Sequence, residues 1–164
     1  MAQNLHSVPI GGVMVSDDPE DILVVYGLGS CVVICLYDPH LRVGGMMHAL
    51  LPTSTRTKKV TSSPAKFVDQ GISWIMNALI RYKVNQRQLK AYVCGGAQMI
   101  TAPGFNDQLN IGDRNVEAAR RVLRKAGIRI AGESTGGTAG RTVRLDIATG
   151  QVTVRSLGKN EQTL

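Results

Sequence analysis

The chain has 164 residues, a formal net charge of +7, and 43% hydrophobic, 19% charged and 4% aromatic side chains. A length and composition of this kind suit one globular domain and exclude disorder as the main state, because folding at this size buries roughly 70% of the surface an unfolded chain exposes. The aromatic content is too low for stacking platforms that hold single-stranded nucleic acid, and the apolar runs, such as Cys31 to Tyr37, are far shorter than the ~20 residues that cross a bilayer.

From Met1 to Val13 there is no basic-then-apolar signal pattern, so a cytoplasmic protein without membrane insertion is expected. Gly11-Gly12-Val13 and Ser16-Asp17-Asp18-Pro19 read as punctuation. Ile22 to Tyr26 and Cys31 to Tyr37 are short, apolar and β-branched, which predicts two strands joined by Gly27 to Ser30. Val43 to Leu51 reads as a third strand, with Gly44-Gly45 weakening its pairing or making a bulge. Thr53 to Ser63, rich in Thr and Ser and carrying Arg56, Lys58 and Lys59, has the composition of an exposed loop. Ser63-Pro64 suits a helix start, and Phe67, Val68, Ile72, Ile75, Leu79 and Ile80 recur at helical spacing, predicting a helix over about 64–82. Leu89 to Cys94 reads as a buried strand ending at Gly95-Gly96. A second helix, capped by Asp113 or Asn115, carries Val116, Ala119, Leu123 and Ala126 on one face and stops at Gly127. Ile128 to Ala131, Arg141 to Ile147 and Gln151 to Ser156 are further strands, the last two turning at Ala148-Thr149-Gly150 and facing Val143, Leu145, Ile147, Val152 and Val154 inward; a short polar tail follows. These elements predict a single-domain α/β (α+β) layered sandwich, a mixed β-sheet flanked by two main helices.

The three cysteines cannot all pair with one another, so each is packing, a metal ligand or a nucleophile. A nucleophilic cysteine needs an accessible thiol, a base nearby and backbone donors for a developing oxyanion. Cys31 can meet these needs. It follows Gly27-Leu28-Gly29-Ser30, whose glycines leave room for a carbonyl to approach the backbone N–H groups. His48 comes seventeen positions later on the third predicted strand, and a turn near Asp38-Pro39 brings it beside Cys31 if the strands pair antiparallel. The spacing permits this contact without proving it. Cys35 and Cys94, inside apolar runs, read as packing. His40 in a turn and His6 near the N-terminus read as solvated. Cys31, Cys35, Cys94 and His48 lack the closely paired ligands of structural zinc. Gly27-Leu28-Gly29 is not a dinucleotide fingerprint, since Val32 stands where its third glycine belongs. The Arg56 to Lys59 cluster reads as a solvated loop, with no nucleic-acid partner expected.

Gly27-Leu28-Gly29-Ser30-Cys31-Val32, Leu36-Tyr37-Asp38, Gly44-Gly45-Met46-Met47-His48 and Leu50-Leu51-Pro52 occur in that order, followed by Gly95-Gly96-Ala97-Gln98-Met99, Ile111-Gly112-Asp113-Arg114-Asn115, Gly136-Gly137-Thr138-Ala139-Gly140-Arg141 and Thr149-Gly150-Gln151-Val152. With these motifs, over about 20–156 as the core of a 1–164 domain, the sequence resembles the CheD family, the chemoreceptor glutamine deamidases of bacterial and archaeal chemotaxis. The resemblance implies hydrolysis of receptor glutamine side-chain amides to glutamate, with Cys31 as nucleophile, His48 as general base and acid, and Gly29 and Ser30 shaping the oxyanion region. It implies no metal or organic cofactor. Its implied partners are the cytoplasmic helices of methyl-accepting chemoreceptors and the phosphatase CheC. It leaves open an interaction module with weak or no catalysis, and a methylesterase. Three positions depart from the family pattern. Val25 stands where a threonine thought to orient the histidine is usual, Cys94 where an aromatic is common, and Ser134 where an aspartate is common. Without that hydroxyl, the imidazole needs a backbone carbonyl or another hydroxyl to fix its tautomer.

Overall fold

The computed structural model describes residues 2–54, 63–99 and 110–164. Among the described residues, ten strands and two α-helices follow in the order β1 (Asn4–Ser7), β2 (Val13–Ser16), β3 (Asp21–Leu28), β4 (Val32–Asp38), β5 (Val43–Ala49), α1 (Val68–Ile80), β6 (Lys90–Gly95), α2 (Ile111–Lys125), β7 (Arg129–Thr135), β8 (Arg141–Asp146), β9 (Val152–Ser156) and β10 (Gln162–Thr163), with a 3-10 turn at Gln86–Gln88. They form a layered α/β domain, but the strands divide between two sheets, ordered β1-β3-β8-β9-β10 and β2-β5-β4-β6-β7. Each sheet is mixed: β1 runs parallel to β3, and β6 parallel to β7.

The burial of β4 explains the layering. All seven of its residues are buried. Val32, Ile34 and Leu36 pack with Ile72, Ile75, Leu79 and Leu123 of the helices. The alternate residues Val33, Cys35 and Tyr37 pack with Leu23, Val25, Val143 and Leu145 of the other sheet. A strand covered on both faces reads as an unbroken apolar run, because the two-residue period delivers side chains to two cores at once. Both helices therefore lie on one face of the second sheet, and the first sheet covers its opposite face. Tyr37 ties the sheets together by donating its hydroxyl to the Ile147 carbonyl at 2.9 Å. The predicted strands over 22–26 and 31–37 fall in different sheets, so Gly29 to Cys31 form a crossing between layers.

Gly44-Gly45 makes no bulge: β4 and β5 keep continuous register from Val32 opposite Ala49 to Asp38 opposite Val43. The glycines serve packing. A Cβ at Gly44 would stand 2.8 Å from the Tyr37 ring, and one at Gly45 2.9 Å from Val15. The helix over 68–80 starts later than Pro64 because the preceding backbone is engaged elsewhere. Ala65 N–H donates to Gly11, Val68 N–H donates to Leu51, and the Lys66 carbonyl accepts from Leu50 and Leu51. The second helix is capped by Asn110, whose Oδ1 accepts the Asp113 N–H at 3.1 Å, rather than by Asp113 or Asn115. It ends as expected. Gly127, at φ +71°, and Ile128 donate to the Arg124 and Leu123 carbonyls in a Schellman arrangement. The edge strands β1, β2 and β10 are not anticipated by the sequence reading: β1 lies in an N-terminal stretch given no element, β2 between the two punctuation points, and β10 in the polar tail. The predicted basic loop at Arg56, Lys58 and Lys59 lies outside the described residues. Among the described residues, no helix is long and apolar enough to cross a membrane.

Candidate active site

The antiparallel ladder brings the two predicted catalytic residues together. His48 stands opposite Val33, and the final rung joins Val32 to Ala49. Cys31 lies one residue beyond the ladder and packs in the same core as Val33, so the register carried one residue further sets it diagonal to His48. Such neighbours have backbones about 7–8 Å apart, within side-chain reach. Cys35 is the diagonal neighbour on the other side of Val33. Exposure separates the two thiols: Cys31 is 8% exposed, whereas Cys35 and Cys94 are at 0%. Cys94 stands opposite Val33 on β6. Both take the packing role that their apolar surroundings suggest.

Cys31 sits on a short crossing whose carbonyls are all engaged. Gly29 O accepts from Ala97 N–H at 2.9 Å, and Cys31 O accepts from Gly96 N–H at 2.9 Å. Ser30 O accepts from the Asn115 side-chain amide at 3.0 Å. Among the described residues, the amides of Gly29, Ser30 and Cys31 donate to no backbone carbonyl; that of Cys31 lies against its own sulfur. Pinned carbonyls hold the backbone while its N–H groups stay available to an incoming group. The close approach requires glycine at 95, where φ is +110° and a Cβ would stand 2.3 Å from the Cys31 carbonyl oxygen. Met99 packs on Gly29, where an added Cβ would meet its Cγ at 3.1 Å.

His48 is 6% exposed. Its backbone is clamped by the N-terminal segment: His48 N–H donates to Gly12 O at 3.1 Å, and Gly11 N–H donates to His48 O at 2.7 Å. Its Nδ1 lies 3.2 Å from the Val8 carbonyl oxygen. A carbonyl can only accept, so this contact places the proton on Nδ1 and leaves the Nε2 lone pair as the basic site. Val25, at 2% exposure, belongs to the core between the sheets and offers no hydroxyl. The Val8 carbonyl takes over the orienting contact, and sequence could not have found it because any residue at position 8 carries a carbonyl.

Burial sets the protonation of the pair. It pushes the Cys31 thiol up, against a smaller lowering by its own backbone N–H. It pulls the His48 imidazole down, opposed by the Val8 carbonyl. Both shifts favour a neutral thiol beside a neutral imidazole over a thiolate-imidazolium pair. Burial drives Cys94 to about 12 and Cys35 well above the ordinary thiol range. His6, half-buried, is not free in solvent: its Nε2 lies 2.8 Å from Asp21 Oδ1. His40 is exposed in its turn. Two buried residues outside the predicted set also adjoin the site. The sequence places Asn115 at a helix cap and Arg141 in a strand, each inside a motif of the family resemblance but with no role at the site. The Arg141 guanidinium donates to Gly136 O at 2.7 Å, Ser134 Oγ at 3.2 Å and Gly95 O at 3.4 Å. The signals for Asn115 are its place in the Ile111-Gly112-Asp113-Arg114-Asn115 motif and a polar residue spaced among the apolar positions of α2.

Comparison with known proteins places this chain in a family. Residues 50–156 match the family model CheD, described as CheD chemotactic sensory transduction. A probable chemoreceptor glutamine deamidase CheD of Symbiobacterium thermophilum is 42% identical over 162 residues, covering 99% of this chain and 98% of its own. A probable chemoreceptor glutamine deamidase CheD of Thermococcus kodakarensis is 45% identical over 140 residues, covering 85% of this chain and 86% of its own. The match to the family model starts at residue 50, after Cys31 and His48, whereas the similarity to the first relative runs through nearly the whole chain. The chain belongs to the CheD family.

Proposed function

We infer that this protein is a chemoreceptor glutamine deamidase that uses Cys31 and His48 to hydrolyse receptor glutamine side chains to glutamate. The observation that carries the reading is the ladder register, which sets the one partly exposed thiol diagonal to an imidazole whose Nδ1 faces a carbonyl. The names of the relatives support the substrate class.

The chemistry follows from the protonation states. His48 Nε2 takes the Cys31 proton as the sulfur attacks the carboxamide carbon, forming the S–C bond and a tetrahedral oxyanion. The amides of Gly29 and Ser30, which donate to no backbone carbonyl among the described residues, are the donors available to that oxygen. Collapse breaks the C–N bond, and the imidazolium gives its proton to the departing nitrogen, which leaves as ammonia. His48 then takes a proton from water, and the resulting hydroxide attacks the thioester carbonyl. Expulsion of the sulfur, reprotonated from His48, yields the starting enzyme and a carboxylic acid, whose proton passes to the released ammonia to leave glutamate. Every proton is accounted for by these two side chains, the substrate and one water. The net charge of +7 assists encounter with acidic receptor surfaces.

The test is mass spectrometry of a receptor cytoplasmic fragment incubated with the wild-type protein, Cys31→Ala or His48→Ala. Amide-to-acid conversion by the wild type that disappears in Cys31→Ala is the expected result. No conversion of a cognate receptor by the wild type would overturn the reading and leave a binding role, to receptor or to CheC.

A further inference from the structure

Asn115 is buried completely, at 0% exposure, in the second turn of α2. Its Nδ2 donates to Ser30 O at 3.0 Å and to Leu50 O at 3.1 Å. Both acceptors are carbonyls, so the amide orientation is fixed: only the nitrogen can face them. Its Oδ1 is buried with no hydrogen-bond partner among the described residues. An arrangement that satisfies both donors and leaves the acceptor unmet is costly for packing alone, where an apolar side chain would serve.

The location gives the arrangement a purpose. Ser30 immediately precedes Cys31, and Leu50 follows His48 by two residues. The β4–β5 ladder ends at Val32 and Ala49, just short of the nucleophile. Beyond that rung the strands have no mutual backbone bonds to set their separation. One amide, reaching in from a different layer, donates to one carbonyl on each side of the opening. The helix can approach this closely because Gly112 lies against the loop after β6, where a Cβ would stand 2.5 Å from Gly96 O; Gly96 N–H in turn holds Cys31 O.

We propose that Asn115 is a positioning residue that fixes the separation of Cys31 and His48 by cross-linking Ser30 and Leu50 at the open end of the β4–β5 ladder. This rests on the deamidase reading of the same site. It assigns Asn115 no contact with substrate. Asp cannot replace it when ionised, because it has no donor, and Leu matches its shape without bridging anything.

The experiment compares wild type, Asn115→Leu and Asn115→Ser by deamidation of a receptor fragment and by iodoacetamide alkylation of Cys31. Folding is checked by the continued protection of Cys35 and Cys94. In Asn115→Leu, kcat falls at least about tenfold while KM stays within about twofold, since displacement of reacting groups by an ångström costs up to about a hundredfold. Asn115→Ser, able to bridge at most one carbonyl, falls between; it also carries the test if the Leu variant does not fold. The alkylation rate of Cys31 changes in both variants, and that change disappears when the substitutions are made in His48→Ala, because the effect acts through the pair. Unchanged kcat in a folded variant, or a fall in Tm alone, overturns the proposal. If the wild type itself fails to deamidate, the functional reading fails, while alkylation with and without His48 still decides the role of Asn115.

Discussion

The three thiols provide a quantitative test of the site. An ordinary cysteine of pKa ~8.5 is about 3% thiolate at pH 7, and burial lowers this fraction for Cys31. Cys31 nevertheless reaches the surface at 8% exposure, so it reacts from the native state. Cys35 and Cys94 have no exposure, and burial pushes Cys94 to about 12. They react only from an opened state, whose population at the low end of domain stability, ~5 kcal/mol, is on the order of 10⁻⁴. With limiting iodoacetamide at pH 7, Cys31 is therefore expected to be labelled at least about a hundredfold faster than either, as read by peptide mapping. The pH dependence tests the protonation argument. A neutral thiol beside a neutral imidazole gives a rate that climbs about tenfold per pH unit up to a pKa above the ordinary thiol value. A thiolate-imidazolium pair gives instead a plateau extending into acid. Labelling of Cys94 first would refute the site assignment. An acid plateau that vanishes in His48→Ala would refute the neutral pair.

The low-pH half-fall of deamidation kcat/KM should lie below about pH 6.5, as protonation reaches His48, because burial sets its imidazole below the ordinary value of ~6.5; a half-fall above pH 6.5 in the rate profile contradicts this. Gly95→Ala places a Cβ 2.3 Å from Cys31 O at a φ of +110°, costing about 2 kcal/mol or more. In a domain of this size that is a Tm drop of roughly 4–8 °C, with loss of deamidation at temperatures where the variant is folded; a wild-type Tm would show that the crossing relaxes freely. Asn110→Ala removes the oxygen that accepts Asp113 N–H and should cost about 1 kcal/mol, lowering Tm by roughly 2–4 °C while kcat of the folded protein is retained.

Local signals determined much of this protein. The apolar runs over 22–26, 31–37 and 89–94 are strands, because a buried strand needs nothing beyond β-branched apolar residues between turns. The helix ending at Gly127 is legible for the same reason, its apolar positions and its stop both being encoded within a few residues. The motif around Cys31 and the histidine at 48 likewise sufficed to single out the pair proposed to react. Other features depend on partners distant in sequence. Whether the strands before and after Gly29 pair or separate into two layers is decided by which core each apolar face finds, and alternation alone is blind to that choice. The late start of α1 follows from backbone bonds to Gly11 and Leu51, and the glycines at 44 and 45 answer to Tyr37 and Val15. The site shows the same division. Cys31 and Cys35 are both diagonal to His48 by register, but Cys35 is paired on both sides within β4 whereas Cys31 lies just beyond the last rung, and tertiary burial leaves only Cys31 exposed. The groups that steady the pair, the Val8 carbonyl and the Asn115 amide, act through a backbone atom and across 85 residues of chain, so only folding brings them to the chemistry that the sequence had already supplied.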